Sequence, residues 1–128
     1  MPKGIFFKKD MITLIIKGEL TDLNTYSRAE RTNRHIGARI KKDETERVAW
    51  ECKKQKLKKI TCEIPEVFID WYVKDAKKDA DNITFAKKFI LDGLVTSGVL
   101  PSDGRKYINS FSDMVYVDAK NPRVEVTL

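Results

Sequence analysis

Two carboxylates spaced two positions apart are the residues of this sequence best suited to hold a metal ion. Asp79 and Asp81 flank Ala80 in a polar stretch between two apolar segments. In an extended loop, residues at i and i+2 point to the same side. Carboxylates this close repel one another unless a cation lies between them, and hard oxygen ligands suit Mg²⁺ or Mn²⁺. Taken alone, an Asp-x-Asp-Asn pattern before a helix is more often turn and N-cap chemistry than a metal site.

Basic residues surround this pair and dominate the first half of the chain. Lys74, Lys77 and Lys78 precede the acids and could bring a phosphate to a metal. The net charge is +6, and between Arg28 and Lys59 twelve basic residues face five acidic ones. Such clustering is typical of a polyanion partner, because each phosphate neutralised releases counterions. For that segment alone, a solvated helix surface rich in lysine explains the charge equally well.

Other catalytic chemistries have little support in the composition. His35 is the only histidine, and neither Cys52 nor Cys62 has a second ligand at zinc-binding spacing. We therefore expect carboxylates, lysine or a bound metal to carry any chemistry. The two cysteines are predicted to be free, partly buried thiols.

Hydrophobic patterning predicts the elements that position these residues. We expect a strand at 11–17, a helix from Thr25 capped by Asn24, a break or bend at Gly37, and a longer helix continuing to about Leu57. A central strand at 67–73, a helix from about Ile83 that Gly98 ends, and a C-terminal hairpin of 110–117 with 123–128 should follow. This pattern predicts a single α+β domain over residues 1–128, in which helices pack on a small mixed or antiparallel sheet. The longest apolar run near the N-terminus is too short to cross a membrane, so we expect no membrane association and a cytoplasmic location.

Four short stretches around the acid pair combine aspartate, lysine and glycine in a specific order. They are Asp79-Ala80-Asp81-Asn82, Lys88 with Phe89-Ile90-Leu91-Asp92-Gly93-Leu94, Gly98-Val99-Leu100, and Asp103-Gly104. Together, residues 79–104 resemble the signature of the RusA family of Holliday junction resolvases, common in phages and prophages. Weaker similarity extends to Leu23-Asn24-x-Tyr26 and to the terminal Asn121-Pro122-Arg123-Val124-Glu125-Val126.

The resemblance implies a homodimeric, Mg²⁺-dependent endodeoxyribonuclease that nicks four-way DNA junctions symmetrically during recombination and repair. Its metal ligands, carried over by matching positions, are Asp79, Asp81 and Asp103, with Lys88 as the nearby catalytic lysine. Mn²⁺ is an alternative metal. The residues expected to contact DNA are Lys74, Lys77, Lys78, Arg31, Arg34, Arg39, Lys41, Lys42, Arg105 and Lys106.

This chain departs from the family pattern in two places. Three additional residues separate Asp81 from Lys88, so Lys87 is an alternative functional lysine. Seven residues make nearly two helical turns, which favours Lys88 on the face of Asp81. A surface pair with Asp92 would explain Lys88 without catalysis. The second departure is Ser102, where some relatives carry an acid before the last aspartate.

The length of the predicted helix suggests that the site is shared between subunits. A helix from Ile83 to Ser97 would be about 22 Å long, whereas residues 98–103 can span at most about 20 Å. Closing the site within one chain would therefore be strained. We expect that these helices pack antiparallel in a dimer, with Asp103 of one chain near Asp79 and Asp81 of the other.

Two further interpretations stay open at this point. The chain could be a basic DNA- or RNA-binding module that keeps the fold and the charge but does not cleave. It could also be a structural phage protein, in which Trp71, Phe85 and Phe89 only fill a core. The clustered acids favour the nuclease over both.

Overall fold

The computed structural model describes residues 11–128, which contain one four-stranded sheet. Buried and exposed side chains alternate along three of its strands. The strands are β1 (Thr13–Lys17), β2 (Val67–Val73), β3 (Phe111–Val117) and β4 (Arg123–Thr127), and the helices are α1 (Leu23–Thr32), α2 (Arg34–Lys54), α3 (Ala80–Thr84) and α4 (Lys87–Thr96). The strand order is β1-β4-β2-β3, with β2 and β3 parallel and the other pairs antiparallel. The expected α+β class with a small mixed sheet is confirmed.

One face of the sheet supplies much of the hydrophobic core. Its buried side chains include Leu14, Ile16, Val67, Ile69, Trp71, Val124 and Val126, and those of α2 and α4 join them. The predicted strand at 67–73 is central, as expected. Of the three aromatic residues expected to fill a core, Trp71 and Phe89 are almost fully buried, and Phe85 is partly buried against the core.

The predicted C-terminal hairpin is wrong, because β2 lies between β3 and β4. The backbone N–H of Asp118 donates to the carbonyl of Val73, so the 118–122 connection passes the end of β2. The carboxylate of Asp118 accepts a hydrogen bond from Arg123 at 2.9 Å across the same connection. Inserting β2 gives the most apolar strand a hydrogen-bonded neighbour on each side.

The boundaries of the first two helices also differ from the prediction. Asp22, not Asn24, caps α1, and the break falls at Asn33, not at Gly37. Asn33 ends α1 and caps α2, its side chain accepting from the N–H of His35 at 2.8 Å. Gly37 lies inside α2, where a Cβ would come within 2.4 Å of Glu30 Cγ. Gly37 therefore permits α1 and α2 to approach closely.

The helix predicted from Ile83 begins earlier and is interrupted. Asp79 occupies the N-cap of α3, and α4 begins only after Phe85 and Ala86. Two backbone bonds at the interruption span only three residues, from Ala86 to Ile83 and from Lys88 to Phe85, which is 3₁₀-type geometry. Asp81 consequently lies in the first turn of a helix, so the expectation of two carboxylates alternating in an extended loop is wrong.

Two other expectations concern membrane-spanning helices and the state of the cysteines. Within 11–128, none of the helices is both long and apolar enough to cross a membrane. Both cysteines are free, as predicted, but the expectation of partial burial is wrong for Cys62, which is exposed, whereas Cys52 is buried.

Candidate functional site

Lys88 lies between two carboxylates on the surface of the protein. Its Nζ is 3.3 Å from Asp92 and 3.5 Å from Asp103. Asp92 is one turn further along α4, whereas Asp103 comes from the loop that follows the helix. The hydrogen bond to Asp92, and then the charges of both acids, raise the pKa of Lys88 above its ordinary value. Lys88 is therefore a cation throughout the neutral range.

The loop after α4 folds back along the helix and is anchored by backbone hydrogen bonds. Gly98 has φ +86°, a conformation that glycine adopts most easily, and ends the helix as predicted. The carbonyl of Val99 accepts from Ile60 N–H at 2.7 Å, and Leu100 N–H donates to Leu94 at 3.1 Å. Val99 and Leu100 are buried. Anchored in this way, the loop reaches the first turn of α4 within the same chain.

Ser102 has a local role in this loop. Its hydroxyl accepts a hydrogen bond from the N–H of Gly104 at 3.1 Å, closing a short turn around Asp103. At position 102 this chain therefore has a residue that orders the loop.

Lys87 and Lys88 point to different surroundings, which separates the two candidate lysines. Lys87 Nζ is 2.6 Å from Asp113 on β3, and Asp113 also accepts from the indole N–H of Trp71 at 2.9 Å. Lys87 is thus tied to the sheet. Of the two lysines, Lys88 is the one that contacts Asp103. Sequence reasoning missed Asp113, although an acid among the apolar residues of β3 was a visible signal.

Asp79 and Asp81 lie at the start of α3, and both are exposed. The side chain of Asp79 makes no capping hydrogen bond. Next to them, the buried Asn82 accepts from the N–H of Asn24 at 2.9 Å and so fixes the start of α3 against the start of α1. The two carboxylates are therefore exposed on a well-anchored segment.

Lys78, expected to contact DNA, is engaged within the chain. Its Nζ is 2.6 Å from Asp22 and 3.8 Å from Glu19. Burial opposes ionisation of Asp22, but the hydrogen bonds from Lys78 and from Thr25 N–H outweigh it and hold the pKa of Asp22 below its ordinary value. The charge of Lys78 is thus largely offset before any ligand arrives.

The three predicted metal ligands do not form one group within a single chain. Over residues 11–128, no three or more His, Cys, Asp or Glu side chains are arranged to hold a metal ion. Asp103 is with Lys88 on α4, whereas Asp81 is seven residues upstream on the separate helix α3. Carboxylates are suitable donors for Mg²⁺, but one chain does not assemble all three.

All nine of the remaining residues expected to contact DNA are available for binding. Lys74, Lys77, Arg31, Arg34, Arg39, Lys41, Lys42, Arg105 and Lys106 are exposed, and none forms an ion pair with another residue of the described part of the chain. Arg47 contrasts with them. It pairs with Glu44 and donates to the carbonyls of Lys17 and Glu19, so its charge has a structural role.

Comparison with protein-family models gave no match, and a search of curated proteins found no similar sequence.

Proposed function

We propose that this protein is a Mg²⁺-dependent endodeoxyribonuclease that nicks branched DNA, in the manner of the RusA-like Holliday junction resolvases. The observation that supports the proposal most is the contact between Lys88 and Asp103. These residues are fifteen positions apart, the resemblance assigns both to one site, and their side chains are 3.5 Å from each other. Surface basic residues supply the charge that a DNA partner requires.

Each residue has a definite task in this proposal. Asp79, Asp81 and Asp103 would hold Mg²⁺, which supplies an activated water and stabilises charge on the phosphate. Lys88 stays protonated because two carboxylates raise its pKa, and it neutralises a phosphate or leaving-group oxygen. Asp92 holds the ammonium group of Lys88 next to Asp103. His35 takes no part.

A dimer supplies the ligand set that one chain lacks. Among residues 11–128, β3 has a neighbouring strand on one side only, and it contains neither lysine nor proline to discourage further pairing. Its exposed side chains include Phe111, Met114, Tyr116 and Val117, whereas none of the exposed large hydrophobic side chains lies on α4. The exposed apolar surface therefore favours a two-fold contact at β3 over pairing of α4 helices. Because Lys87 contacts Asp113 of β3, such an axis would bring the α3–α4 segments of both subunits to the interface.

The direct test is a synthetic four-way junction incubated with purified protein in Mg²⁺ or in EDTA. We expect symmetric paired nicks with Mg²⁺, none with EDTA, and much slower cutting of a linear duplex of the same sequence. Tight binding without nicks in Mg²⁺ would support the second candidate, a non-cleaving nucleic-acid-binding protein. The scattered carboxylates and the many unpaired surface cations are the observations that favour that candidate.

Mixing two inactive variants tests whether the site is shared. Asp79→Asn and Asp103→Asn should each be inactive alone, but exchange of subunits should regain nicking on one strand per junction, because a heterodimer keeps one intact site. Asp79→Asn mixed with itself is the control. Failure of a verified heterodimer to nick would exclude the shared arrangement while leaving an intrachain nuclease open.

A further inference from the structure

Trp50 is the most exposed large hydrophobic side chain in the described part of the chain, at 65% of its full accessibility. It lies on α2 opposite the face that buries Val48 and Cys52. Ile36, the only other exposed large hydrophobic residue of α2, is fourteen residues away, about 21 Å along the helix. The apolar surface on this part of α2 is thus a single indole ring.

A segment dense in lysine follows Trp50 immediately. Its five lysines are Lys53, Lys54, Lys56, Lys58 and Lys59. All five are exposed, and none pairs with an acid among residues 11–128. Between Trp50 and Cys62 the only acid is Glu51, whose carboxylate accepts from Gln55 at 3.0 Å. The segment therefore carries a concentrated positive charge that the chain does not offset locally.

The end of α2 displays these lysines from a fixed position. Leu57 N–H donates to Cys52 and Lys56 N–H to Lys53, the pattern of a Schellman cap, with Lys56 in the left-handed conformation at φ 54°. Gln55 exchanges two hydrogen bonds with the backbone of Ile15 on β1, at 2.7 and 3.1 Å. Lysine near a helix C-terminus stabilises the helix, which accounts for Lys53 and Lys54. It does not account for Lys58 and Lys59 beyond the cap.

We propose that Trp50 and these five lysines form a binding site for single-stranded nucleic acid, in which an unpaired base stacks on the indole and phosphates contact the ammonium groups. A protein interface needs a wider apolar centre with few charges, whereas one exposed ring beside a row of cations matches a nucleotide. Glu46 and Asp43 lie on the same side of α2 towards its N-terminus, so the strand runs from Trp50 towards Lys59.

This site lies next to the loop that carries Asp103, without including Asp103 itself. Ile60, directly after Lys59, donates its N–H to Val99, and Asp103 follows four residues later. A strand bound at Trp50 would therefore be directed towards that loop. Binding at Trp50 itself does not depend on the proposed nuclease activity.

Intrinsic fluorescence reports on the ring directly. The chain has two tryptophans, and Trp71 is only 1% exposed, so a ligand that stacks on the surface quenches Trp50. The titration uses an oligo-dT of about 12 nucleotides, with EDTA present so that no cleavage occurs. We expect quenching with oligo-dT and little with a blunt duplex. With a labelled oligo-dT and fluorescence anisotropy as the readout, Trp50→Ala should bind about 10-fold more weakly than the parent protein, with Trp50→Phe in between.

Matched variants separate stacking from adsorption of any polyanion. Lys58→Gln should reduce the salt dependence of binding by about 0.7 in the log–log slope, whereas Lys120→Gln, another exposed lysine, should leave it unchanged. Equal affinity of Trp50→Ala and the parent protein for oligo-dT would overturn the proposal. So would heparin that binds as tightly as oligo-dT without quenching Trp50, because stacking would then add nothing to the affinity. A change of oligomeric state in Trp50→Ala would overturn it as well, because a second protein chain would then cover the ring.

Discussion

Replacing Asp81 with Asn should abolish metal-dependent nicking of a four-way junction, by at least about 100-fold, while junction binding stays equal or becomes tighter. The substitution removes a charged oxygen ligand but keeps the size of the side chain. It also removes a negative charge that faces the phosphates, which weakens repulsion in the bound state. Nicking rates and junction affinity, each measured over a range of Mg²⁺ concentrations, test both halves.

Two comparisons make this result specific. Asp43→Asn removes an exposed carboxylate from α2, away from the candidate site, and should leave nicking unchanged. Asp92→Asn removes the nearest partner of Lys88, so it should slow nicking only modestly, since Lys88 remains protonated. Because Asp81 is exposed, the variant should unfold at nearly the parent temperature. Full activity in a folded Asp81→Asn protein would refute the ligand assignment.

The positions of β1, β2 and β4 could be predicted from the sequence because burial alternates along these three strands. Leu14 and Ile16, or Val124 and Val126, identify the inner face without any knowledge of neighbours. Strand order could not be predicted in the same way, because it depends on which strand takes the central position in the sheet. The turn residues between Asp118 and Pro122 suggested a hairpin, but they bridge across β2 instead.

The helix boundaries show how tertiary contacts choose between equivalent local signals. Asp22 and Asn24 are both good capping residues. Asp22 is selected because its carboxylate also pairs with Lys78, while the N–H of Asn24 is used by the buried Asn82. No local pattern contains either long-range partner.

The candidate site was predictable in part, for the same reason. Resemblance grouped Lys88 with Asp103, and spacing favoured Lys88 over Lys87. The structure brings Lys88 and Asp103 together and ties Lys87 to Asp113. The interruption of the helix at Phe85 and Ala86 could not be predicted from residue spacing. Because of it, the spacing of seven residues does not establish that Asp81 and Lys88 share a helix face. The three acids do not form one group within a single chain, and a single sequence carries little information about a second subunit.

Adding one methyl group at Gly93 should destabilise the fold by about 2 kcal/mol or more, although alanine is the better helix former by about 1 kcal/mol. A Cβ at Gly93 would lie 2.5 Å from both Cβ and Cγ1 of Val48 and 3.0 Å from the carbonyl oxygen of Thr45. Rotating Val48 moves Cγ1 but not Cβ, and the backbone oxygen belongs to α2, so the two helices would have to separate. Urea denaturation of Gly93→Ala measures the loss.

Gly98→Ala and a double substitution distinguish steric overlap from a general effect of replacing glycine. At Gly98 no atom lies within 4 Å of an added Cβ, but φ is +86°, so alanine there should cost only about 1 kcal/mol of backbone strain. In a Val48→Ala background Cγ1 is gone but the Cβ of residue 48 and the carbonyl oxygen of Thr45 remain, so Gly93→Ala should cost less without becoming neutral, with a coupling free energy of about 0.5–3 kcal/mol. Additive effects would mean that helix contact is not the cause. Lys88 and Asp92 lie on α4, and the loop with Asp103 folds back along it. Separation of α4 from α2 should therefore also displace the candidate site from the rest of the chain. Nicking should then fall further than the loss of folded protein alone predicts.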